Sequence, residues 1–379
     1  MLAQHFVTWC ETANAAERCS GVALLADAVV NKKFLAAEIR QAEAALLFAL
    51  DDPSPRVRRT IADLVRHSER VSRQLVRTLA ADIDEIAVGI VEHSPILTGP
   101  DLVELVRGGS NAIRVAAARR RDLDPRAALE IAASGDAQAC GELAANAALL
   151  APASVLCRLV GDWADHPRIR DALLRRDDLP SDLRHVLLVS LGSALCASPF
   201  VLAATGPARA ARLKDELAEQ ATASLIEVLE PADLSPFVEH LRASGLLNSA
   251  VLVRAVCCGR IDLFASSLAR LAKVPEKRVR AIVAEAREPG FAALADSAGL
   301  PRALVPLLLS AVRVWKDVSG SDDLDPADVA SMVMERVVRS YRRQYDETAF
   351  AEIGALLHRL AGDTQRFAAR RRAENYLAA

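Results

Sequence analysis

A short phrase that returns at nearly constant spacing constrains this chain more than any other feature. It reads Leu97-Thr98-Gly99-Pro100, Leu123-Asp124-Pro125, Leu150-Ala151-Pro152 and Leu179-Pro180, with the leucines 26, 27 and 29 residues apart. A second marker, Gly109-Ser110, Gly135-Asp136 and Gly161-Asp162, recurs at intervals of 26 and 26. A period in this range belongs to stacked short helical pairs, because one such pair cannot bury its apolar faces alone and must cover them with the next. The expected fold is all-α: an α-α superhelix of short helical repeats with additional helices at the C-terminal end.

Composition agrees with helices and excludes some partners. Hydrophobic residues make up 52% of the 379 positions but aromatic residues only 4%. The core must therefore be built from Ala, Leu and Val, which let helices approach closely. A formal charge of -2 supplies no global field for a polyanion or an acidic membrane, so any such contact must be local. The seven cysteines (Cys10, Cys19, Cys140, Cys157, Cys196, Cys257 and Cys258) show no Cys-x-x-Cys and read as reduced core residues. Residues 1–19 lack a basic start followed by an apolar run, and the cytoplasm is the expected location. Val186 to Ala208 carries no charge for 23 residues, a bilayer-spanning length. Ser198-Pro199 and Gly206-Pro207 interrupt it, so a buried helix ending near Ser198 is expected in place of a membrane span.

Taken in order, residues 1–50 read as capping helices, with Val22, Leu25 and Val29 on one face and Ile39, Leu46, Leu47 and Leu50 on another. Residues 51–205 read as the repeats. Ser54 is placed to cap a helix whose first turn holds Pro55, and Val57, Ile61, Leu64 and Val65 form its apolar stripe. Thr98 with Asp101 fits a capping box ahead of Leu102, Leu105 and Val106, and Leu129 with Ile131 marks the next unit. Leu105 and Ile131 are expected at equivalent buried positions. Residues 206–315 read as a C-terminal helical domain, opened by a long helix with Leu213, Leu217, Leu225, Val228 and Leu229 on its apolar side. Residues 316–379 read as a solvated linker and a terminal helical segment, whose stripe of Val329, Met332, Val333, Arg336, Val337 and Tyr341 needs a cover.

The segment from Asp52 to Arg58 places Asp, Val and Arg as in Asp-x-x-x-x-Val-Arg and resembles the opening of the second helix of a HEAT-type repeat. The chain as a whole resembles a bacterial family, the domain of unknown function 2336, through Ser94-Pro95-Ile96-Leu97, Ala117 to Leu123, Arg175 to Pro180, Leu252 to Ala255, Gly290-Phe291 and Ala298 to Pro301. The resemblance spans roughly Leu24 to Trp315 and implies a helical repeat fold without an activity. The third unit departs from it, with Ala145-Asn146-Ala147-Ala148 where an Arg-rich phrase is expected.

No local signature of catalysis is present: there is no Gly-x-Ser-x-Gly, no phosphate-cradling glycine loop and no His-Glu-x-x-His. His93 and His166 sit at comparable repeat positions and read as turn histidines bonding a carbonyl, and neither a metal nor a cofactor is expected. Arg59, Arg66, Arg114, Arg121, Arg168 and Arg175 lie on the polar sides of successive second helices and are the candidate partner-binding residues. From Asp51 to Arg121 twelve Arg face ten Asp or Glu, so a solvated, paired face is the plainer reading of these positions. From Glu335 to Arg372 nine Arg stand against five acids, a local excess that suits an acidic partner, a nucleic acid or a solvated helix end. The expected function is a non-catalytic scaffold or adaptor for protein partners. The alternative is a nucleic-acid-associated repeat protein.

Overall fold

The computed structural model describes residues 2–31, 35–318, 333–339, 357–358, 361–362, 366 and 369. Between Leu2 and Val318 it has twenty-one α-helices and one 3₁₀ turn, and no strand occurs among the described residues. The chain divides into two compact units, 1–191 and 192–379.

The first unit is a series of helical pairs: α1 (Leu2–Cys10) with α2 (Ala15–Val30), α3 (Ala36–Ala49) with α4 (Pro55–Val65), and α5 (Arg73–Ala80) with α6 (Asp84–His93). These are followed by α7 (Gly99–Gly108) with α8 (Asn111–Ala118), α9 (Pro125–Ala133) with α10 (Ala137–Ala145), α11 (Ala153–Trp163) with α12 (Pro167–Leu174), and then α13 (Ser181–Ala197). The second helices form one unbroken layer, α2 on α4, α4 on α6, α6 on α8, α8 on α10 and α10 on α12. In the other layer α1 packs on α3, α7 on α9 and α9 on α11, whereas α5 packs on α4 and α6 without comparable packing on α3 or α7. One apolar core runs through the stack from Phe6 to Leu187. Alanine dominates its middle: Ala116, Ala117 and Ala118 of α8 and Ala127, Ala128 and Ala132 of α9 are all buried.

A recurring arginine clamp holds successive pairs in register. A helix leaves its last carbonyls without intrahelical donors, and here an arginine of a later pair supplies them. Arg120 donates to Val91 O (2.7 Å) and Ser94 O (3.0 Å) at the end of α6. Arg176 donates to Ala144 O (3.3 Å), Asn146 O (2.8 Å) and Leu149 O (2.6 Å) after α10. Each guanidinium is buried and is fixed by the aspartate two residues on, Asp122 at 2.8 Å and Asp178 at 2.7 Å. In the unit without an arginine, the Asn146 amide donates to Ala118 O (2.9 Å) and Arg120 O (2.7 Å). Arg184 of α13 closes the series on Leu174 O (2.9 Å) and Arg176 O (2.7 Å).

The second unit continues with α14 (Pro199–Thr205), α15 (Pro207–Val228), α16 (Leu234–Ala243), α17 (Ser249–Cys257), α18 (Ile261–Ala272), α19 (Glu276–Glu285), α20 (Glu288–Ser297), a 3₁₀ turn (Arg302–Leu304) and α21 (Val305–Val318). Helix α18 is central, packing on α16, α17, α19 and α20. Phe237, Phe264 and Phe291 are fully buried, the last two stacked at 6.2 Å between centroids. The clamp recurs: Arg260 donates to Ile226 O (2.6 Å) and Leu229 O (2.7 Å) and pairs with Asp262. Val333, Met334 and Val337 are buried within the single chain, while Arg336 is exposed. Val329, Met332 and Tyr341 of the same expected stripe, and the linker after Val318, lie outside the described residues.

Several expected positions are corrected. Leu150, a marker of the recurring phrase, is 84% exposed, and Leu149 is buried in its place at 7%. Leu105 is only partly buried beside the fully buried Ile131, because α7 turns Leu102 and Val106 inward. Leu64, Leu129, Leu217 and Val228 are exposed. Ser54 stands at the N-cap of α4 but its side chain makes no capping bond; its amide donates to Asp52 instead (2.8 Å). None of the seven cysteines is in a disulfide; Cys157 is exposed and Cys10, Cys19 and Cys258 are half-buried, so only Cys140, Cys196 and Cys257 are core residues. Helix α21 includes Lys316 to Val318, assigned above to the linker. Helix α13 ends at Ala197 as expected but is half-buried over much of its length. No single described helix is long and apolar enough to cross a membrane; α13 and α14 reach that length only together, bent by 63°.

Candidate functional site

The interruption at α5 leaves two clefts on the surface of the first unit. Leu75, Val76, Leu79 and Ala80 are the buried side of α5, and Arg73, Gln74, Arg77 and Thr78 are left outward. Polar bridges take the place of side-by-side helix packing. Arg73 donates to Asp101 (2.9 Å) and Thr98 Oγ1 (3.0 Å) at the start of α7, and Arg77 reaches Asp101 at 3.3 Å and Glu104 at 3.5 Å. Asp101 is held in place for this as the third residue of α7, where it closes the capping box by accepting from the amide (3.0 Å) and hydroxyl (2.7 Å) of Thr98.

A cleft lies on each side of these arginines. The first, of about 430 Å³, has an apolar lining of Ala80, Leu97, Leu105 and Ile113 and is edged by Asp82, Asp84, Asp101, Glu104 and Arg77. The second is wider, about 800 Å³, and is lined by Leu50, Gln74, Thr78 and Ala81 with Arg58, Arg73, Arg77 and Asp82. They share Arg77, Ala81 and Asp82. The first is thus rich in carboxylates and the second rich in guanidinium groups. The half-burial of Leu105 has its explanation here, since this side chain lines the first cleft.

Internal pairing fixes the charges. Arg58 forks onto Asp82 (2.6 and 2.9 Å) and donates to Asp52 O (2.7 Å). Burial alone would raise the Asp82 carboxyl, but the Arg58 fork and the Ile83 amide outweigh it and hold the group below its ordinary range. Asp101 behaves likewise: burial raises it, and the amide and hydroxyl of Thr98 with Arg73 bring it below. Asp84 accepts from Ser110 Oγ (2.8 Å). Both clefts therefore present charges at fixed places, which suits recognition of a chain segment carrying its own charges and an aliphatic stem.

The six arginines singled out in the sequence do not form one ridge. Arg59 is paired with Glu85, and Arg66 lies 3.4 Å from Asp63. Arg114 turns inward, Nε donating to Val106 O at 3.1 Å. Arg121, Arg168 and Arg175 are exposed. Helix α10 lies between α8 and α12. It carries Gln138 and Glu142, the latter paired with Arg119 at 2.9 Å, so the arginines of α8 and α12 are separated by a layer of different charge. The expected carbonyl bond of His166 is also not made: its Nδ1 is buried without a hydrogen-bond partner. The His93 ring lies 4.9 Å from that of His67, tilted by 39°, and 3.8 Å from Glu92, and no group of three His, Cys, Asp or Glu able to hold a metal occurs among the described residues.

Sequence reasoning passed over Arg73 and Arg77, because the stretch between Arg66 and Ile96 carries none of the recurring phrase. Their spacing of four residues on one face of a short helix was the available signal. It also weighted Arg121 and Arg175 over Arg120 and Arg176, which do the structural bonding; the Arg-x-Asp pattern shared by Arg120, Arg176 and Arg260 was the signal there.

No curated protein and no solved structure matches the chain. Residues 86–347 match a family described as an uncharacterised protein conserved in bacteria, starting later than the Leu24 expected and continuing past Trp315 into the terminal segment. With more than half of its length matched, the chain belongs to this bacterial family, the domain of unknown function 2336.

Proposed function

We propose that this protein is a non-catalytic scaffold or adaptor of the cytoplasm, built as a HEAT-like solenoid, and that the two clefts flanking α5 receive a segment of a protein partner. The observation that carries the reading is the break in the first-helix layer at α5, which leaves a carboxylate-edged cleft and a guanidinium-edged cleft side by side. A segment with a Lys or Arg side chain for the first cleft and an acidic residue for the second is the fitting occupant. Glu142 of α10, paired with Arg119, stands between the arginines of α8 and α12 and breaks up a continuous basic surface, which supports a protein partner over a nucleic acid.

The test is affinity capture from native extract, with and without nuclease, using wild type and an Arg77→Glu, Glu104→Arg double variant. A partner retained after nuclease and lost in the double variant is the expected result. Capture that disappears with nuclease, or is unchanged by the double variant, refutes the proposal.

A further inference from the structure

The head of α12 gathers buried polar groups that the fold leaves unused. In four other pairs the fourth residue of the second helix turns back onto its own loop or preceding helix: Arg18 to Ala13 O (2.8 Å), Arg58 to Asp52 O (2.7 Å), Arg114 to Val106 O (3.1 Å) and the Cys140 sulfur to Ile131 O (3.4 Å). Arg18 and Arg58 also fork onto an aspartate that precedes the next second helix, Asp52 and Asp82. Arg170 holds this position in α12 and has neither contact. Its side chain is 5% exposed, Nε and Nη1 are buried without hydrogen-bond partners, and Nε lies 3.8 Å from the carboxylate of its neighbour Asp171.

Other donors sit one turn away. Side chains on a helix lean toward its N-terminus, and the Arg170 amide donates to His166 O (2.9 Å), so Arg170 stands one turn from His166 with its side chain leaning toward the head of the helix. His166 is the N-cap residue of α12 and makes no side-chain capping bond, and its Nδ1 is a second buried polar atom without a partner. Pro167 has no N–H, so the amides of Arg168 and Ile169 are the orphan donors of the first turn. Trp163 meets His166 edge-on at 5.7 Å, and its Nε1 is directed to the thiol of the buried Cys140. The surrounding acids are committed in part: Asp162 pairs with Arg158 (2.6 Å), Asp165 accepts from Ser190 (2.8 Å), and Asp136 caps α10 through Oδ1 while its Oδ2 is buried without a partner.

We propose that the head of α12 is a binding site for one small free oxyanion, of carboxylate or phosphate type, held by the Arg170 guanidinium, the His166 ring and the amides of Arg168 and Ile169. An anion there completes the pairing that Arg18 and Arg58 find within the chain and meets the positive end of the helix. Trp163 and His166 are half-buried, so the cluster meets solvent at their edges and a small anion can enter.

The test uses the full chain, titrated with sodium phosphate or sodium acetate against chloride at constant ionic strength. It is read by melting temperature and by Trp163 fluorescence in a Trp9→Phe, Trp315→Phe background. The expected result is a saturable rise in melting temperature with a fluorescence change for at least one oxyanion. Binding should weaken at least tenfold in Arg170→Met and be unchanged in the exposed control Arg175→Met. In chloride alone Arg170→Met should melt higher than wild type, because it removes a buried charge that is paired only loosely, with the exposed Asp171 at 3.8 Å. His166→Gln supplies a second weakened variant that keeps a polar side chain. A response that does not saturate, or that is equal in wild type and Arg170→Met, overturns the proposal and leaves the cluster as a site for bridging water.

Discussion

Replacing Arg176 with alanine should be among the most damaging single substitutions in the first unit. The side chain is buried and donates to three carbonyls between Ala144 and Leu149 while forking onto Asp178. Removing it strips the donor from buried acceptors, each costing about 1 to 3 kcal/mol when left unsatisfied, and leaves Asp178 without its cation. Water entering the gap recovers part of this, so the expected loss is about 3 to 5 kcal/mol, the range for breaking a buried charged pair from one side. Arg176→Lys keeps the charge but not the planar fork and should fall between alanine and wild type. The neighbouring Arg175 is exposed, and Arg175→Ala should stay within about 0.5 kcal/mol of wild type. Urea unfolding followed by far-ultraviolet circular dichroism measures all three. If Arg176→Ala costs under about 1 kcal/mol, or if Arg175→Ala costs as much as Arg176→Ala, the clamp is not what registers the helical pairs.

Other expectations follow from burial, backbone and titration. Ile131→Ala should cost about 2 to 5 kcal/mol through the cavity it leaves, and Leu105→Ala clearly less, because Leu105 lines an open cleft; equal losses in thermal unfolding would contradict this. Gly259 has φ of 76°, and a Cβ there would stand 2.5 Å from the Trp315 ring, so Gly259→Ala should lower the melting temperature and shift Trp315 fluorescence, whereas an unchanged melt would refute the packing. Asp82, Asp101 and Asp178 are each raised by burial and then carried below their ordinary value of 3.8, chiefly by the Arg58 fork, by Thr98, and by the Arg176 fork respectively. Their folded-state values are depressed, so their contribution is fully present above pH 3.8 and is lost as pH falls through the lower folded values. Urea midpoints below pH 4 should therefore fall less in Asp82→Asn than in wild type, and parallel falls would contradict the assignment.

The helical class, the paired units and most inward-facing positions were legible because they depend on local spacing. Thr98 with Asp101, Asp124 before Pro125 and the stops at Gly109 and Gly135 are decided within a few residues, and the structure has them as read. The slip from Leu149 to Leu150 shows where local reading fails. The phrase matched Leu150-Ala151-Pro152, but the loop is pinned from elsewhere, Leu149 O by Arg176 and the Ala151 amide by Asp178 at 3.1 Å. A buried arginine is equally invisible when its acceptors lie some thirty residues earlier, so Arg120 and Arg176 looked like members of a polar run. The clefts were hidden for a related reason. They arise because α5 lacks the side-by-side packing on helices two positions away that the other first helices have, and nothing within Arg73 to Ala80 states that.

The most direct test of the scaffold reading is site-specific photo-crosslinking from position 81. Ala81 is exposed and lines both clefts, whereas Gln138, on α10 and away from them, serves as the control position. With a photoreactive amino acid at each site, protein expressed in its native bacterial background and irradiated should yield a discrete, nuclease-resistant protein adduct from position 81 and none from position 138. Digestion of that adduct should place the crosslink on a segment bearing a basic residue. Adducts to nucleic acid alone, or the same protein adduct from both positions, would contradict the account.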